Sequence, residues 1–591
     1  RPGGVGVPCS FTTPTRATHR VAPTETFLYF FGCLPWWSGS FIIVAVMESR
    51  TDVTLDSPED AVSEVAVEES APPVVAASPA IAQPRPHIIG WVVFGFALLL
   101  YTFTLAPSVM PGDYAEFQLS AAVLGVPHPT GYPLYILLGK LFTLLPLGDV
   151  AYRVNFSSAL YMAGAVGVLY AIAVKLFRLA GYGRVWWAAA VGALVYAIAP
   201  TVWAMSLVAR SYALNALLVA CVIFSLITWR QSGRTRWFYA SCLLIGLSMV
   251  HHGTTYLLLP AYGLYLLLVE FERHRAEVDR HPMVRRALGV LSLLAGLSPM
   301  LFLVYRFIFG GPYYWGNPTS WKDFFNLLTG GPFHNQVMGF GDTQLDRVLF
   351  GLGELDAQYT LLGIIVGVAG LVALWRLRRA EAALLTLMML GNFVFAMNYS
   401  LVGYLYFIPT FLIWGVFMAV GAGWIAYVLI VGLSSPLGSV VLRARTAMLV
   451  AGVVLLWLFA SSTVLRYPNI DQSGQTATRD DALALLASAP QGASLYLDWE
   501  DVSVIRFYRM VYGTRPDLTL HSGDPTDWPK GVYCDLSNGA SVYVGEFAGA
   551  QPPTIARDFD VESAPMGWRV VSIKNAALYE VPPCGTCATC R

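Results

Sequence analysis

Apolar stretches long enough to cross a bilayer recur near 88–106, 154–174, 185–204, 212–229, 237–250, 255–269, 287–309, 354–375, 381–398, 404–430 and 446–464. Each predicts a helix, because about 30 Å of hydrocarbon at 1.5 Å per residue needs roughly 20 apolar residues. Basic residues gather in alternate connections, from Lys175 to Arg184, Arg230 to Arg236, Arg273 to Arg286, Arg376 to Arg379, and Arg443 to Arg445. Cytoplasmic loops retain lysine and arginine, so all five are expected inside. Eleven crossings then put the N-terminal part in the cytoplasm and the region after about 465 outside it.

The stretch from Pro133 to Leu147 breaks this pattern. It is apolar but short, holds Lys140, and is bounded by Pro133 and Pro146. A crossing here would move every later arginine-rich loop to the outer side, so a flat interfacial helix is expected. The result is a long outer loop over 107–152. A second outer loop covers 310–353, with Trp315-Gly316-Asn317-Pro318 and dense aromatic residues, as at a lipid–water boundary. Residues 466–591 have another texture. An amphipathic helix is predicted from Arg479 to Ala489, and strands over 493–498, 540–547 and 568–581. These read as a small outer α/β module of four or five elements.

Composition agrees with the pattern. Of 591 residues, 56% are hydrophobic and 13% charged, so most of the chain faces lipid. Lys+Arg and Asp+Glu both number 37, so net charge says nothing about nucleic acid or an acidic partner; no nucleic-acid partner is expected. Residues 1–46 have an erratic composition and are read as upstream-translated sequence, with Met47 as the start; a signal anchor over Phe27–Val46 is the competing reading. Residues 47–87 are acidic and rich in Pro, Ala, Val and Ser, which predicts a disordered cytoplasmic tail. Cys584, Cys587 and Cys590 lack a nearby fourth ligand, so disulfides or an incidental tail are expected before zinc.

Candidate chemistry begins at Gly112-Asp113-Tyr114-Ala115-Glu116-Phe117, just past the first span. Two carboxylates three residues apart share one face of a helical turn. The competing reading is a helix cap, with Asp113 at the start and Glu116 at the capping-box position. Around the pair stand His128-Pro129, Lys140 and Arg153 at the entrance of the next span. Arg153 is the first choice for a phosphate contact and Arg210 the second, both at outer ends of spans; snorkelling to headgroups competes for Arg153. Adjacent histidines point different ways, so His251 and His252 are expected to hydrogen-bond in a polar hairpin rather than share a metal ion. Asn317 is a candidate for a sugar hydroxyl, or for holding the Pro318 turn.

The order Asp-Tyr-x-Glu-Phe, Gly-Val-Pro-His-Pro-x-Gly-Tyr-Pro-Leu-Tyr and Ala-Tyr-Arg-Val-Asn resembles a bacterial membrane family long catalogued as a domain of unknown function. That family is similar to the protein O-mannosyltransferases, in the GT-C class of polyprenyl-phosphate-sugar glycosyltransferases. The resemblance runs from about 90 to 430. It takes in Gly246-Leu247-Ser248-Met249-Val250-His251-His252, Trp315-Gly316-Asn317-Pro318, and Asn398-Tyr399 with Tyr406-Phe407-Ile408-Pro409. It implies a GT-C-like, all-α polytopic fold over 88–465, with Asp113 as base and Glu116 as supporting acid. His128 then matches the His-Pro turn that follows the acidic motif. Two positions depart from the pattern. Ala209-Arg210-Ser211-Tyr212 stands where the family often has Ala-Glu-Val-Tyr, and Ser400 where an acid often follows Asn-Tyr.

The resemblance implies transfer of a mannose-like sugar from a polyprenyl-phosphate donor to a protein or glycan hydroxyl, outside the cytoplasmic membrane, with inversion. A divalent cation is the one cofactor left open. A transporter of lipid-linked sugars is the runner-up. It expects ionisable residues deep in several spans, and here they lie mostly at span ends. A catalytically silent assembly factor is the third reading, supported by Arg210 and Ser400.

Overall fold

A computed structural model describes residues 86–181, 186–276, 281–337, 343–399, 403–432, 452, 466–522, 528–544, 559–563 and 569–573. Seven helices in it are long and apolar enough to cross a membrane. They are α1 (Pro86–Phe103), α4 (Val150–Leu179), α7 (Ser211–Ser232), Gly253–Arg275 with α9 (Leu259–Arg275) as its main part, α13 (Gln344–Leu377), α14 (Arg379–Met397) and most of α16 (Ile408–Gly432). The bent pair α10 (Pro282–Leu297) and α11 (Met300–Phe309), which meet at 44°, is together long and apolar enough for an eighth, as one broken span. The protein is therefore a multi-pass, mainly helical membrane protein.

Two of the eleven expected crossings depart from one long helix, and a third lies outside the described residues. The stretch 185–204 is two helices, α5 (Trp186–Ala197) and α6 (Pro200–Ala204), because Ala199 is extended before Pro200 at the first helical position. The stretch 237–250 is α8 (Thr235–His251), 17 residues long, at the short end of the spanning range; it runs back along α7 to place His251 beside Ser211. The stretch 446–464 lies outside the described residues apart from Gly452, as do the N-terminal tail and Cys584, Cys587 and Cys590. A further break falls inside α13 at Thr360, whose φ of 60° is costly for a β-branched residue and separates two helical halves.

Glycine lets these helices touch backbone to backbone. A Cβ on Gly370 would sit 1.8 Å from the Phe417 carbonyl oxygen, and one on Gly421 would sit 2.0 Å from that of Val366. Only hydrogen fits at this crossing of α13 and α16, the small-residue contact that membrane helices use where lipid gives no hydrophobic drive.

The Pro133–Leu147 stretch contains α3 (Pro133–Phe142), ten residues long. At 1.5 Å per residue it spans only about 15 Å and cannot cross. Tyr135 and Ile136 are buried, while Leu141 and Leu144 are exposed, as an interfacial helix requires. Before it comes α2 (Asp113–Val123). After the loop that follows α11 and carries α12 (Trp321–Leu328), the chain returns through α13, α14, the short α15 (Gly403–Tyr406) and α16.

The C-terminal region forms more elements than the sequence suggests. Its helices are α17 (Ala477–Ser488), α18 (Trp499–Tyr512) and α19 (Trp528–Ser537). Five strands, β1 (Ser494–Tyr496), β2 (Thr519–His521), β3 (Val542–Val544), β4 (Phe559–Ser563) and β5 (Arg569–Ile573), make one mixed sheet ordered β2-β1-β3-β5-β4. β1 runs parallel to β2 and β3, while β5 is antiparallel to β3 and β4. This module shares a core with the first outer loop: Val109, Ala115 and Leu119 pack with Leu495, Val502, Ile505 and Phe507. It is seated on α2 rather than tethered beside it.

Candidate active site

α2 starts at Asp113 because Gly112, at φ 63°, turns the chain there without steric cost. No side chain caps this helix. The capping-box expectation fails: Gly112 takes the cap position, and both acids point to tertiary partners. Asp113 Oδ1 accepts from the indole Nε1–H of Trp499 at 2.9 Å. Asp113 Oδ2 pairs with an Arg210 guanidinium nitrogen at 2.9 Å. The Gly112 amide donates to the Glu500 carbonyl at 3.1 Å, which fixes α18 against the start of α2.

Glu116, one turn on, is 1% exposed. It accepts from the His128 amide at 3.0 Å and the Tyr313 hydroxyl at 2.7 Å, and pairs with His128 Nδ1 at 2.5 Å. Tyr313 arrives from the second outer loop, which a short bridge holds to the first: the Val126 amide donates to the Tyr313 carbonyl, and the Trp315 amide to that of Val126, both at 2.9 Å. Glu116 is thus a buried anchor for two loops.

Electrostatics favour the charged forms of Asp113, His128 and Arg210. Burial pushes the Asp113 carboxyl up, but His128, Arg210 and the Trp499 hydrogen bond outweigh it and hold Asp113 below the ordinary carboxylate range. Burial pushes His128 down, yet Glu116 and Asp113 raise it above the usual histidine value. Burial likewise opposes the Arg210 charge, and Asp113 more than restores it. The resting site is two ion pairs, Asp113–Arg210 and Glu116–His128, side by side.

A cavity of about 960 Å³ opens onto Asp113, His128 and Arg210. Its wall includes Tyr132, Tyr212, Tyr399 and Tyr406, the loop from Gly310 to Pro318, Arg306 of α11, and Trp499, Arg506 and Ser522 of the C-terminal module. Arg506 donates to the Ser522 hydroxyl at 2.9 Å. Three arginines and an aromatic lining make a chamber suited to a phosphate joined to a sugar ring.

The expected site residues divide cleanly. Asp113, His128, Arg210 and Asn317 line the cavity. Asn317 adopts φ 38° in its turn. Glu116 stands behind the wall. Arg153 is not brought to the cavity: its guanidinium donates to the carbonyls of Thr143, Leu147 and Gly148 at 2.8, 2.6 and 3.1 Å, closing the loop after α3. His251 and His252 are buried beneath the lining. His251 Nε2 bonds the Ser211 carbonyl at 2.9 Å, His252 Nδ1 bonds the Thr254 hydroxyl at 2.8 Å, and both rings lie against Tyr132. Arg306, Tyr313, Trp499 and Arg506 were not anticipated. The aromatic density of the second loop and the Asp498-Trp499-Glu500-Asp501 helix start were the available signals.

Asp113, Glu116 and His128 also offer three ligand atoms within 4.8 Å of one another, a donor set of the kind divalent ions accept. Each is already engaged. An ion would have to break the Glu116–His128 pair and compete with a guanidinium for Asp113. These three residues would be the ones to hold a divalent cation, in exchange for the two pairs they now make.

Residues 113–275 match the family model described as the protein O-mannosyl-transferase TMEM260 N-terminal domain. The chain is similar to the protein O-mannosyltransferases. It is 30% identical to mouse protein O-mannosyl-transferase TMEM260 over 242 residues, 39% of this chain and 32% of the mouse protein. The Dictyostelium discoideum protein O-mannosyl-transferase tmem260 is 22% identical over 306 residues, 48% of this chain and 36% of its own length. The chain thus matches about a third of each TMEM260 relative. In fold it resembles ArnT from Cupriavidus metallidurans bound to undecaprenyl phosphate, with TM-score 0.51, 18% identity, and coverage of 83% of this chain and 99% of ArnT. The fold is GT-C-like. The TMEM260 match begins at Asp113 itself and includes Glu116, His128 and Arg210.

Proposed function

We propose that the protein transfers a mannose-like sugar from a polyprenyl-phosphate donor to an acceptor hydroxyl, at the extracytoplasmic face of the cytoplasmic membrane. The observation that carries this reading is an ionised carboxylate, Asp113, on the wall of a large chamber that also presents arginines. In this reading residues 88–465 form the transfer domain, the N-terminus is cytoplasmic, and residues 466–591 lie outside. The names of the TMEM260 relatives and the undecaprenyl phosphate of the ArnT complex support donor and reaction class.

Asp113 takes the proton of the acceptor hydroxyl as its oxygen attacks the anomeric carbon. The bond from that carbon to the phosphate oxygen breaks, and the phosphate leaves with its electron pair. One displacement inverts the anomeric centre. Paired with Arg210, Asp113 is a weak base, since basicity falls with pKa. A donor phosphate draws Arg210 towards itself, frees Asp113 Oδ2 and raises its basicity when substrate is present. Arg306 and Arg506 supply further positive charge at the wall, while Asn317 and the tyrosines meet sugar hydroxyls. Asp113→Asn in purified protein should abolish transfer from a synthetic mannosyl-phospho-polyprenol while leaving the fold intact. Unchanged turnover removes the base assignment, and a product that retains the donor anomer removes the single displacement.

A further inference from the structure

A second cavity, of about 540 Å³, lies at the other end of the bundle, between α9, α14 and the end of α13. α7 measures the separation: it begins at Ser211, beside Arg210, and reaches Arg230 at this second cavity roughly 28 Å along its axis at 1.5 Å per residue. The two chambers therefore sit near opposite membrane faces.

Its chemistry is divided. Arg230 is fully used: it bridges both oxygens of Glu272, at 2.9 and 2.8 Å, and Oε1 of Glu381 at 2.6 Å. Glu381 is 1% exposed, and its second oxygen, Oε2, is buried with no hydrogen-bond partner. One turn earlier, Nε of Arg378 is also buried with none, and Arg379 stands beside it on the cavity wall. Buried polar atoms left unmatched are costly, and here the unmatched donor and the unmatched acceptor belong to residues that line one chamber. Apart from Tyr265, whose hydroxyl donates to Glu381 Oε1 at 3.2 Å, the remaining wall is apolar, with Leu264, Leu268, Trp375 and Leu387 between 37% and 54% exposed. A ligand for this place needs an anionic group, a cationic N–H group a turn away, and hydrocarbon.

We propose that this cavity binds a phospholipid with a phosphoethanolamine headgroup. The phosphate meets Arg378 and Arg379, the ammonium donates to Glu381 Oε2, and the acyl chains lie over Leu264, Leu268 and Leu387. Arg378 is the cap residue of α14, three positions before Glu381, and both line the cavity, so the two-carbon bridge between phosphate and amine has a short gap to span. A choline headgroup has no N–H for Glu381, and a glycerol headgroup has no positive charge.

The test is native mass spectrometry of the delipidated full chain in detergent, offered equimolar phosphatidylethanolamine, phosphatidylcholine and phosphatidylglycerol with identical acyl chains. The ethanolamine lipid should bind about ten-fold more tightly than the choline lipid, the ratio for losing one charge-assisted hydrogen bond of about 1.4 kcal/mol. The paired change Arg378→Gln and Arg379→Gln should weaken that adduct by a similar factor, with helical circular dichroism unchanged. Equal binding of the three lipids, a preference for the glycerol lipid, or an unaltered adduct in a folded variant overturns the proposal. If the variant does not fold, the ranking of lipids on the unaltered chain decides alone.

Discussion

The indole nitrogen of Trp499 donates to Asp113 Oδ1 at 2.9 Å, across 386 residues of sequence. The C-terminal module thereby holds the carboxylate assigned as base. Its sheet reaches the same chamber through Ser522, and α18 through Arg506. A module read from sequence as a separate outer appendage is part of the site's wall.

Trp499→Phe keeps the ring in place and removes the donor. Loss of one hydrogen bond to a charged group costs about 1.5–3 kcal/mol where it is fully felt. Turnover should fall about ten-fold or more, since each 1.4 kcal/mol is a factor of ten, with KM for the lipid donor nearly unchanged. Steady-state kinetics on the purified variant check this. A rise in KM with full kcat would instead make Trp499 a substrate contact.

Arg210→Ala removes one of the groups that lower Asp113. The Asp113 carboxyl then titrates at higher pH, so the acid limb of the kcat profile should move to higher pH. KM for the donor should rise as well, because the phosphate loses its partner. Arg210→Lys should restore the acid limb more fully than the KM, since lysine keeps the charge without the fork. A pH–rate series on the three proteins separates the two effects.

The Glu116–His128 pair predicts a loss of stability towards alkaline pH. His128 is raised in the folded protein, so its contribution is complete below the ordinary histidine value near 6.5 and disappears as pH rises through the higher folded value. His128→Gln should flatten this dependence between neutral and alkaline pH in thermal unfolding of the detergent-solubilised protein. An identical slope in both proteins would show that the pair does not titrate there.

Arg153→Ala should act on stability alone. Its three carbonyl bonds close the loop after α3, and their loss should cost about 1–2 kcal/mol. Melting temperature should drop, while KM for the donor stays unchanged at temperatures where the variant is folded. A selective rise in KM would return Arg153 to the phosphate.

Sequence alone determined which segments are helical and apolar, because crossing a bilayer requires about 20 apolar residues and leaves a strong, local signal. The alternation of basic loops along the whole chain argued that the short Pro133–Leu147 stretch lies flat, and the motif from Asp113 to His128 marked the place to look for chemistry. Sequence did not reveal which arginine reaches that place. Arg153 and Arg210 both stand at span entrances; Arg153 turns to three carbonyls five to ten residues earlier in the chain, and Arg210 to Asp113 in another loop. Nor did it reveal that Tyr313, Trp499 and Arg506 converge there, since their approach depends on how two loops bridge and how α18 seats on α2. Burial and periodicity are written residue by residue along a chain. Partners brought together over hundreds of residues are selected only when the elements pack, and at this site that packing decided where the charges meet.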